Sequence, residues 1–341
     1  MRNVKKIFVV CFLMFIFSLK FNSISFSQTT SKKILAFYYP WYGTPEYHLN
    51  WFHWENVDTK NHSIGWSTNY PAIGAYDSHN PKTIAYHIKL AKKYSIDGFI
   101  CSWWGVGGFE DKAIPKLLDY AQKNDFEITI YWETVLGEGE KKIIRAVSEI
   151  VYILKNYASH PAFMKINNKP VIFIYSRVMG QIKMKEWSQI IEKAKNQYQN
   201  DFILIADGLN ERYAKHFEGI HTYSIAGWAQ NKSLEELKSQ SKNLFDDAVK
   251  IARKYNKISC VTIIPGYDDR KIRKPGINAE RYDGDAYKVF WENAIEANPD
   301  WVLITSWNEW HEGSEIEPSL EYGSKYLKIT KEYANIFKEG K

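Results

Sequence analysis

Two glutamates three residues apart, Glu309 and Glu312, stand in the segment ITSWNEWHEGSEIEPS at residues 304–319. An apolar run precedes them, and two tryptophans and a histidine surround them. Breaking a glycosidic bond requires one carboxyl group to protonate the leaving oxygen and a second to act as nucleophile or base, while aromatic rings stack on the apolar faces of sugars. The residue types and their spacing therefore indicate glycoside chemistry.

The same segment carries two further acids, Glu315 and Glu317, which precede a proline. We interpret these two as loop or helix-entry acids without assigned chemistry. For Glu309 and Glu312 the alternative is that both are solvated loop acids, but their aromatic neighbours favour a partly dry setting. There a carboxyl group has a raised pKa and keeps a proton for donation, whereas one held by hydrogen-bond donors stays ionised.

Eight apolar runs of strand length recur from residue 34 to the end of the chain. Most are nearly continuous in apolar residues, as expected for parallel strands that are covered on both faces. The predicted strands are residues 34–39, 98–103, 127–132, 170–175, 202–207, 219–224, 258–264 and 301–307.

Amphipathic stretches of helical period follow these runs, and Asn80 before Pro81 has the form of a helix cap. The predicted helices are residues 81–95, 111–124, 141–157, 184–198, about 210–217, 233–256, 283–297 and 322–336. A chain of 341 residues could also form two ordinary domains. Eight strand and helix pairs, with no linker and no glycine-rich phosphate loop after the first strand, instead predict a single α/β domain, a (β/α)8 TIM barrel with long βα loops.

Barrel enzymes place their sites at the carboxyl ends of the strands, and six of the eight predicted strand ends carry tyrosine or tryptophan. The clustering favours sugar platforms over core packing, which would be the usual role of a lone aromatic residue. The aromatic candidates for substrate binding are Tyr38, Tyr39, Trp41, Tyr42, Trp103, Trp104, Tyr223, Tyr267 and Trp310.

Polar candidates lie at the same predicted rim. Glu133 follows the run ITIYW and is expected either to face the substrate or to pair with Arg270 or Arg273. Asn308 precedes the first glutamate, and His311 is expected to orient a partner or a substrate hydroxyl. No second ligand has a suitable spacing to His311 for a metal site, so we expect neither a metal nor a cofactor.

The first residues have a basic start, an apolar run from Ile7 to Phe17, and a small-residue exit. This pattern predicts a signal peptide at residues 1–28, with cleavage near Ser27 or Gln28 and a catalytic domain at residues 29–341. The alternative is an uncleaved anchor, but the run is shorter than the roughly 20 residues that a spanning helix needs. A periplasmic or secreted protein without a stable membrane anchor is therefore expected.

The formal net charge of +6 arises partly in the predicted signal. Without residues 1–28 the chain has 41 basic and 39 acidic residues, a balance of +2. A nucleic-acid partner would need a strong basic surplus on one face, so none is expected. Cys101 and Cys260 lie in apolar runs and are predicted to be buried small residues rather than a disulfide.

Several motifs, in this order along the chain, resemble those of glycoside hydrolase family 99, which contains endo-α-1,2-mannosidases and endo-α-1,2-mannanases. They are FYYPWYG at 37–43, WFHW at 51–54, ASHPAF at 158–163, PGYDDRKIR at 265–273 and WNEWHEGSEIEPS at 307–319. The resemblance runs from about residue 34 to 335. It implies a retaining, endo-acting and metal-independent hydrolase on a (β/α)8 barrel, acting on α-mannan or on another mannose-containing glycan.

The resemblance also implies roles for individual residues. Glu309 matches the residue that assists attack of the sugar 2-hydroxyl on its own anomeric carbon, which gives a 1,2-anhydro sugar, and Glu312 matches the general acid and base. Matches to substrate-contacting positions are Tyr223, Glu133, one of Trp103 and Trp104, and one of Arg270 and Arg273. Two alternatives remain open: a glycosyltransferase-like protein of polysaccharide loci, and a glycan-binding barrel without catalysis.

Overall fold

The computed structural model describes residues 31–340, so the predicted signal peptide lies outside the described residues. The strands are β1 (Lys33–Tyr38), β2 (Gly98–Trp103), β3 (Glu127–Trp132), β4 (Lys165–Ile166), β5 (Lys169–Ile174), β6 (Ile203–Asp207), β7 (Gly219–His221), β8 (Ile258–Ile263), β9 (Tyr267–Asp268), β10 (Asn278–Ala279) and β11 (Trp301–Ile304).

Eight of these strands form a closed parallel barrel. The neighbours run in the order β3, β2, β1, β11, β8, β7, β6 and β5, and pairing of β3 with β5 closes the ring. The short β4 pairs antiparallel with β5, and β9 pairs antiparallel with β10 outside the barrel. The predicted (β/α)8 barrel is confirmed.

Helices surround the barrel between successive strands. They are α1 (Pro45–His48), α2 (Pro81–Lys93), α3 (Phe109–Gln122), α4 (Gly139–Asn156), α5 (Ser176–Gln181), α6 (Met184–Tyr198), α7 (Glu211–Ala214), α8 (Ala226–Ala229), α9 (Leu234–Lys254), α10 (Asp285–Ala297) and α11 (Lys325–Glu339), with a 3₁₀ helix at Tyr282–Gly284. Each predicted helix overlaps one of these.

Local chemistry explains where two long helices begin. The Asn80 side chain accepts a hydrogen bond from the Lys82 backbone N–H at 2.9 Å, and Pro81 fills the first position of α2, as predicted. At the start of α9, the Ser233 hydroxyl accepts from the Glu236 N–H while the Glu236 carboxylate accepts from the Ser233 N–H. These caps satisfy backbone donors that would otherwise lack partners.

Alternation along the strands divides the core into two layers. In β1, Ile34, Ala36 and Tyr38 pack outward against the helices, whereas Leu35 and Phe37 fill the barrel interior. Side chains that point inward near a strand's carboxyl end therefore face the mouth of the barrel.

The two described cysteines lie on different layers. Cys101 is buried among the outward-facing residues and Cys260 among the inward-facing ones, and both thiols are free. Their predicted burial is confirmed. Among the described residues, no helix combines the length and the apolar character needed to cross a membrane.

Candidate active site

A cavity of about 440 Å³ opens at the carboxyl ends of the barrel strands, within the size range of small-ligand sites. Both predicted catalytic glutamates line it. The full lining is Tyr39, Trp41, His53, Trp104, Glu110, Tyr131, Glu133, Tyr175, Arg177, Tyr223, Arg273, Glu309 and Glu312. Aromatic rings and carboxyl groups thus share one concave surface, which is the composition predicted from the sequence.

The loop after β11 is anchored to β1 by Asn308. This residue is fully buried; its side-chain oxygen accepts from the Tyr39 N–H at 2.7 Å, and its amide donates to the Tyr39 carbonyl at 3.1 Å. The Tyr42 hydroxyl donates to the Asn308 carbonyl at 3.0 Å. Asn308 therefore does not line the cavity but fixes the backbone from which Glu309 projects.

Glu309 is 2% exposed, although its side chain reaches the cavity wall. Its backbone N–H donates to the Ser306 hydroxyl at 2.7 Å, and one carboxyl oxygen, Oε1, accepts from the His311 N–H at 3.1 Å. Burial raises the pKa of Glu309 well above its usual value, and the nearby charge of Glu312 raises it further. Glu309 consequently has a high affinity for a proton.

Glu312 meets stronger hydrogen-bond donors. The Tyr223 hydroxyl donates to Oε2 at 2.9 Å, and both terminal nitrogens of Arg273 lie 3.2 Å from Oε1. Burial raises the pKa of Glu312, but the Arg273 charge and the tyrosine hydroxyls oppose that rise. Because Glu309 lacks a comparable cationic contact, the environments separate the proton affinities of the two carboxyl groups.

A third carboxyl group, that of Glu133, lines the cavity on its β3 side. It accepts from the Ser102 hydroxyl at 2.8 Å, and the Trp104 indole donates to that same hydroxyl at 3.0 Å. Burial raises the pKa of Glu133 to about 8, despite the opposing charge of Arg177. Glu133 is therefore mainly protonated at neutral pH and can donate a hydrogen bond to a ligand. Its cationic neighbour is Arg177, whereas Arg270 and Arg273 were the partners considered from the sequence.

The predicted site residues fall into three groups. Those lining the cavity are Tyr39, Trp41, Trp104, Glu133, Tyr223, Arg273, Glu309 and Glu312. Those buried around the loop that carries the glutamates are Tyr42, Asn308, Trp310 and His311, and Tyr267 lies behind Arg273, whose Nη1 donates to its hydroxyl at 2.9 Å. The remaining three, Tyr38, Trp103 and Arg270, point elsewhere.

Strand alternation explains two of these three. Tyr38 and Trp103 are the last residues of β1 and β2 and pack outward against the helices. The Tyr38 hydroxyl lies 3.1 Å from His87 Nδ1, and the Trp103 indole donates to Asp111 at 2.6 Å. Both are core residues with satisfied polar atoms.

Arg270 is the third. It is an exposed residue that pairs with Asp268, and Nε and Nη2 each lie 2.7 Å from a carboxylate oxygen. Arg270 therefore forms a surface ion pair and does not line the cavity. Of the two arginines in PGYDDRKIR, the structure places only Arg273 on the cavity.

Five cavity residues were not singled out from the sequence: His53, Glu110, Tyr131, Tyr175 and Arg177. Tyr175 was detectable, because it ends the predicted fourth strand. The Arg177 guanidinium lies 4.7 Å from the centre of the Trp104 ring, a contact between α5 and the loop after β2 that no local pattern encodes.

The two acids without assigned chemistry are buried. Glu315 accepts from Arg281 at 2.9 Å and from Asn69 at 2.7 Å. Glu317 lies 2.9 Å from His87 Nε2 and accepts from the Tyr76 hydroxyl at 2.8 Å. Each joins the loop after β11 to another element, so they support the loop that carries the catalytic candidates.

Comparison with known proteins decides the family. The model of Glycosyl hydrolase family 99 matches residues 29–335. The chain belongs to glycosyl hydrolase family 99. It is therefore a glycoside hydrolase, and the resemblance noted from its motifs is confirmed.

Several known proteins are similar to this chain over most of its length. The glycoprotein endo-alpha-1,2-mannosidase of Rattus norvegicus is 28% identical, with 89% of this chain and 74% of that protein covered. The human glycoprotein endo-alpha-1,2-mannosidase-like protein is also 28% identical, with 89% and 75% covered. The solved GH99 endo-alpha-mannosidase from Bacteroides thetaiotaomicron superposes with a TM-score of 0.76 at 27% identity, with 90% of this chain and 98% of that chain covered.

Proposed function

We propose that this family 99 protein is a secreted, retaining endo-α-1,2-mannosidase that cleaves internal linkages of α-mannan or of mannose-containing glycans capped by glucose or mannose. The observation that carries the proposal is the pair Glu309 and Glu312, two carboxyl groups with different neighbours on one cavity, of which the first is buried and the second is 13% exposed. The names of the mannosidases described above supply the linkage. Residues 1–28 are proposed to be the signal peptide and residues 29–341 the catalytic domain.

In the first half-reaction, Glu309 removes the proton of the sugar 2-hydroxyl, and that oxygen attacks the anomeric carbon of its own ring. The bond to the leaving oxygen breaks as Glu312 protonates this oxygen. The product is a 1,2-anhydro sugar. Glu309 now carries a proton, and Glu312 is ionised.

In the second half-reaction, Glu312 takes a proton from water, whose oxygen bonds to the anomeric carbon. The bond between that carbon and the 2-oxygen breaks, and Glu309 returns the proton to the 2-oxygen. Two inversions at one carbon retain its configuration.

The contacts of the pair suit this division of work. A base with a raised pKa accepts a hydroxyl proton more readily, and an acid that a cation makes stronger donates one more readily. Burial raises the pKa of both carboxyl groups, and Arg273 opposes this rise most directly at Glu312, which it contacts. The reaction nevertheless requires Glu309 to be ionised and Glu312 to carry the proton. A substrate hydroxyl that donates a hydrogen bond to Glu309 favours this arrangement, because it stabilises the ionised form of that residue.

Product size tests the endo-acting assignment. Purified protein incubated with α-1,2-linked mannan should release short oligosaccharides early in the reaction, as measured by chromatography of labelled reducing ends. Release of mannose alone would contradict internal cleavage. Binding of the oligosaccharides without new reducing ends would favour the glycan-binding barrel, and consumption of a sugar nucleotide alone would favour the transferase.

A substrate with a good leaving group separates the two roles. Glu312→Gln should lose at least about 10³-fold in kcat on mannan but retain most of the first-turnover rate of fluoride release from an α-mannobiosyl fluoride, since fluoride departs without protonation. Later turnovers should be slow, because Glu312 also takes the proton of the attacking water. Glu309→Gln should lose activity on both substrates. If Glu309→Gln retained first-turnover fluoride release and Glu312→Gln did not, the two assignments would have to be exchanged.

A further inference from the structure

His311 lies beside Glu309, on the side away from the cavity. Its Nε2 is 2.6 Å from the backbone carbonyl oxygen of His53. A carbonyl oxygen only accepts hydrogen bonds, so Nε2 must carry the proton. Burial lowers the pKa of His311, and the ring is therefore neutral at neutral pH. The second ring nitrogen, Nδ1, is consequently a hydrogen-bond acceptor.

That acceptor faces the proposed base. Nδ1 of His311 lies 3.5 Å from Oε1 of Glu309, a separation that a small side-chain rotation shortens to a hydrogen bond. An ionised carboxylate also only accepts hydrogen bonds, so this contact repels when Glu309 is ionised. It becomes favourable when one proton lies between the two atoms, as it does once Glu309 is protonated.

We propose that His311 is a positioning residue that holds the abstracted proton on Glu309 by accepting a hydrogen bond through Nδ1. The inference rests on the proposed role of Glu309 as the base. When the sugar 2-hydroxyl loses its proton, that proton forms a bond to the Glu309 carboxyl group and is shared with Nδ1. It leaves the pair when the 2-oxygen takes it back, so His311 undergoes no net change.

The His53 carbonyl accepts from Nε2 of His311 and so fixes the tautomer of His311 in which Nε2 carries the proton. Two features of the segment between β1 and α2 hold this carbonyl in place. The backbone of His53 is left-handed, with φ at 55°, and its ring stacks on Trp41 with centroids 4.4 Å apart and planes at 5°. Left-handed backbone is uncommon for a residue with a side chain, so the surrounding packing must impose it. The carbonyl is thereby kept pointing at Nε2.

Other titratable groups also face Glu309 and His311. The charges of Glu312, Arg273 and Glu133 act on Glu309, and the His53 ring acts with Arg273 on His311. The phenols of Tyr39, Tyr42 and Tyr223 lie in the same field. A comparison between variants at position 311 alone keeps all of these groups in place.

Two substitutions separate the functions of the ring nitrogens. Asparagine can place its amide oxygen near the position of Nδ1, so His311→Asn retains an acceptor for Glu309 and loses the bond to His53. Glutamine can reach the position of Nε2, so His311→Gln retains the bond to His53 and loses the acceptor. If His311 only supports the loop, His311→Gln should alter the apparent pKa of Glu309 less than His311→Asn does. The proposal predicts that His311→Gln alters this pKa more.

The test is the titration of the Glu309 carboxyl group by ¹³C NMR of glutamate-labelled protein, with the resonance assigned by its absence in Glu309→Gln. The two carboxyl groups titrate as a coupled pair, so the quantity followed is the upper apparent pKa in the titration of the Glu309 resonance. His311→Gln should lower that value by about one unit, a tenfold loss of proton affinity, while His311→Asn should stay close to wild type. Equal shifts in the two variants, or none in either, would overturn the proposal.

A measurement on the wild-type protein tests the proposal even if the variants misfold. In ¹⁵N-histidine spectra at neutral pH, His311 Nδ1 should have the shift of an unprotonated nitrogen that accepts a hydrogen bond, and a protonated Nδ1 would overturn the proposal. Neither titration requires turnover. If wild type cleaved no α-1,2-linked mannan, the proposed function would fail while the NMR data still decided the role of His311.

Discussion

Glu309 and Glu312 are separated by two residues, yet they meet different partners. Glu309 accepts from a backbone N–H and faces a neutral imidazole, whereas Glu312 contacts a guanidinium and a phenol. The same side-chain type therefore acquires two proton affinities from its surroundings. At the residue scale, the Arg273 contact is the difference that mutagenesis can isolate.

We predict that Arg273→Ala reduces kcat/KM on mannan by about 10²-fold, since it removes a charged donor from the proposed acid. Without that cation the pKa of Glu312 rises further, so the lower apparent pKa of the pH–rate profile should move to higher pH. Arg270→Ala is the matched control, because its exposed pair with Asp268 contributes little, and activity should stay within about twofold of wild type. A similar loss in both variants would contradict the assignment of Arg273 alone.

The sequence offers Arg270 and Arg273 as a substrate contact or as a partner of Glu133, but it neither chooses between them nor predicts the contact with Glu312. Arg270 and Arg273 stand in one short loop, and each has an aspartate two or four residues away. The choice depends on how the loop after β8 folds against the loop after β11, where the Asp268 N–H donates to the Glu312 carbonyl at 2.7 Å. Such a contact between loops has no local sequence signature.

At the scale of elements, the position at which each strand ends decides which aromatic residue lines the cavity. Trp103 is the last residue of β2 and points outward, whereas Trp104 follows the strand and lines the cavity. The same step separates Tyr38 from Tyr39 at the end of β1. A shift of one residue therefore moves a ring from the core to the site.

Alanine substitution of Trp104 should accordingly affect KM, whereas alanine substitution of Trp103 should affect the unfolding free energy. Trp104→Ala should raise KM roughly tenfold through loss of a stacking surface, with little change in unfolding free energy. Trp103→Ala should lower the unfolding free energy by about 3–5 kcal/mol, since it removes a fully buried ring, while the remaining folded protein keeps its KM. Urea unfolding and initial rates on mannan measure both quantities; a raised KM confined to Trp103→Ala would reverse the assignment.

Periodicity predicted the elements well because most strands are nearly continuous apolar runs. The predicted bounds of 98–103, 127–132 and 184–198 coincide with β2, β3 and α6. The last predicted strand, 301–307, ended too late, because β11 stops at Ile304 and the apolar Trp307 belongs to the loop. Apolar character alone could not mark this end, since the loop itself is buried.

At the scale of the whole molecule, burial keeps some carboxyl groups protonated at a pH at which they would be ionised in the unfolded chain. Burial raises the pKa of Glu133 to about 8 and that of Glu315 to about 7. Burial lowers the pKa of His53 and His79 to about 4 and that of His221 to about 3. Between pH 7 and 9 these histidines are neutral in the folded state and mostly neutral in the unfolded state, so the raised acids dominate the dependence of stability on pH.

The sign of that dependence follows from proton counts. In this window an unfolded glutamate is ionised, whereas folded Glu133 and Glu315 still hold protons, so the folded state binds more protons and stability falls as pH rises. We predict a loss of about 1 kcal/mol between pH 7 and 9, seen as a melting temperature lower by about 2 °C. Glu133→Gln should reduce this loss, since it removes the titrating group. Equal slopes in wild type and variant, measured by calorimetry, would refute the raised pKa of Glu133.

The central claim is that Glu309 and Glu312 together hydrolyse α-1,2-mannosidic linkages. The most direct measurement is the rate of reducing-end release from α-1,2-linked mannan by wild type, Glu309→Gln and Glu312→Gln, each verified as folded by circular dichroism. We expect wild type to release oligosaccharides, and the rate of release to fall by at least about 10³-fold in either variant. A wild-type rate that persists in either variant, or the absence of release by folded wild type, would contradict it.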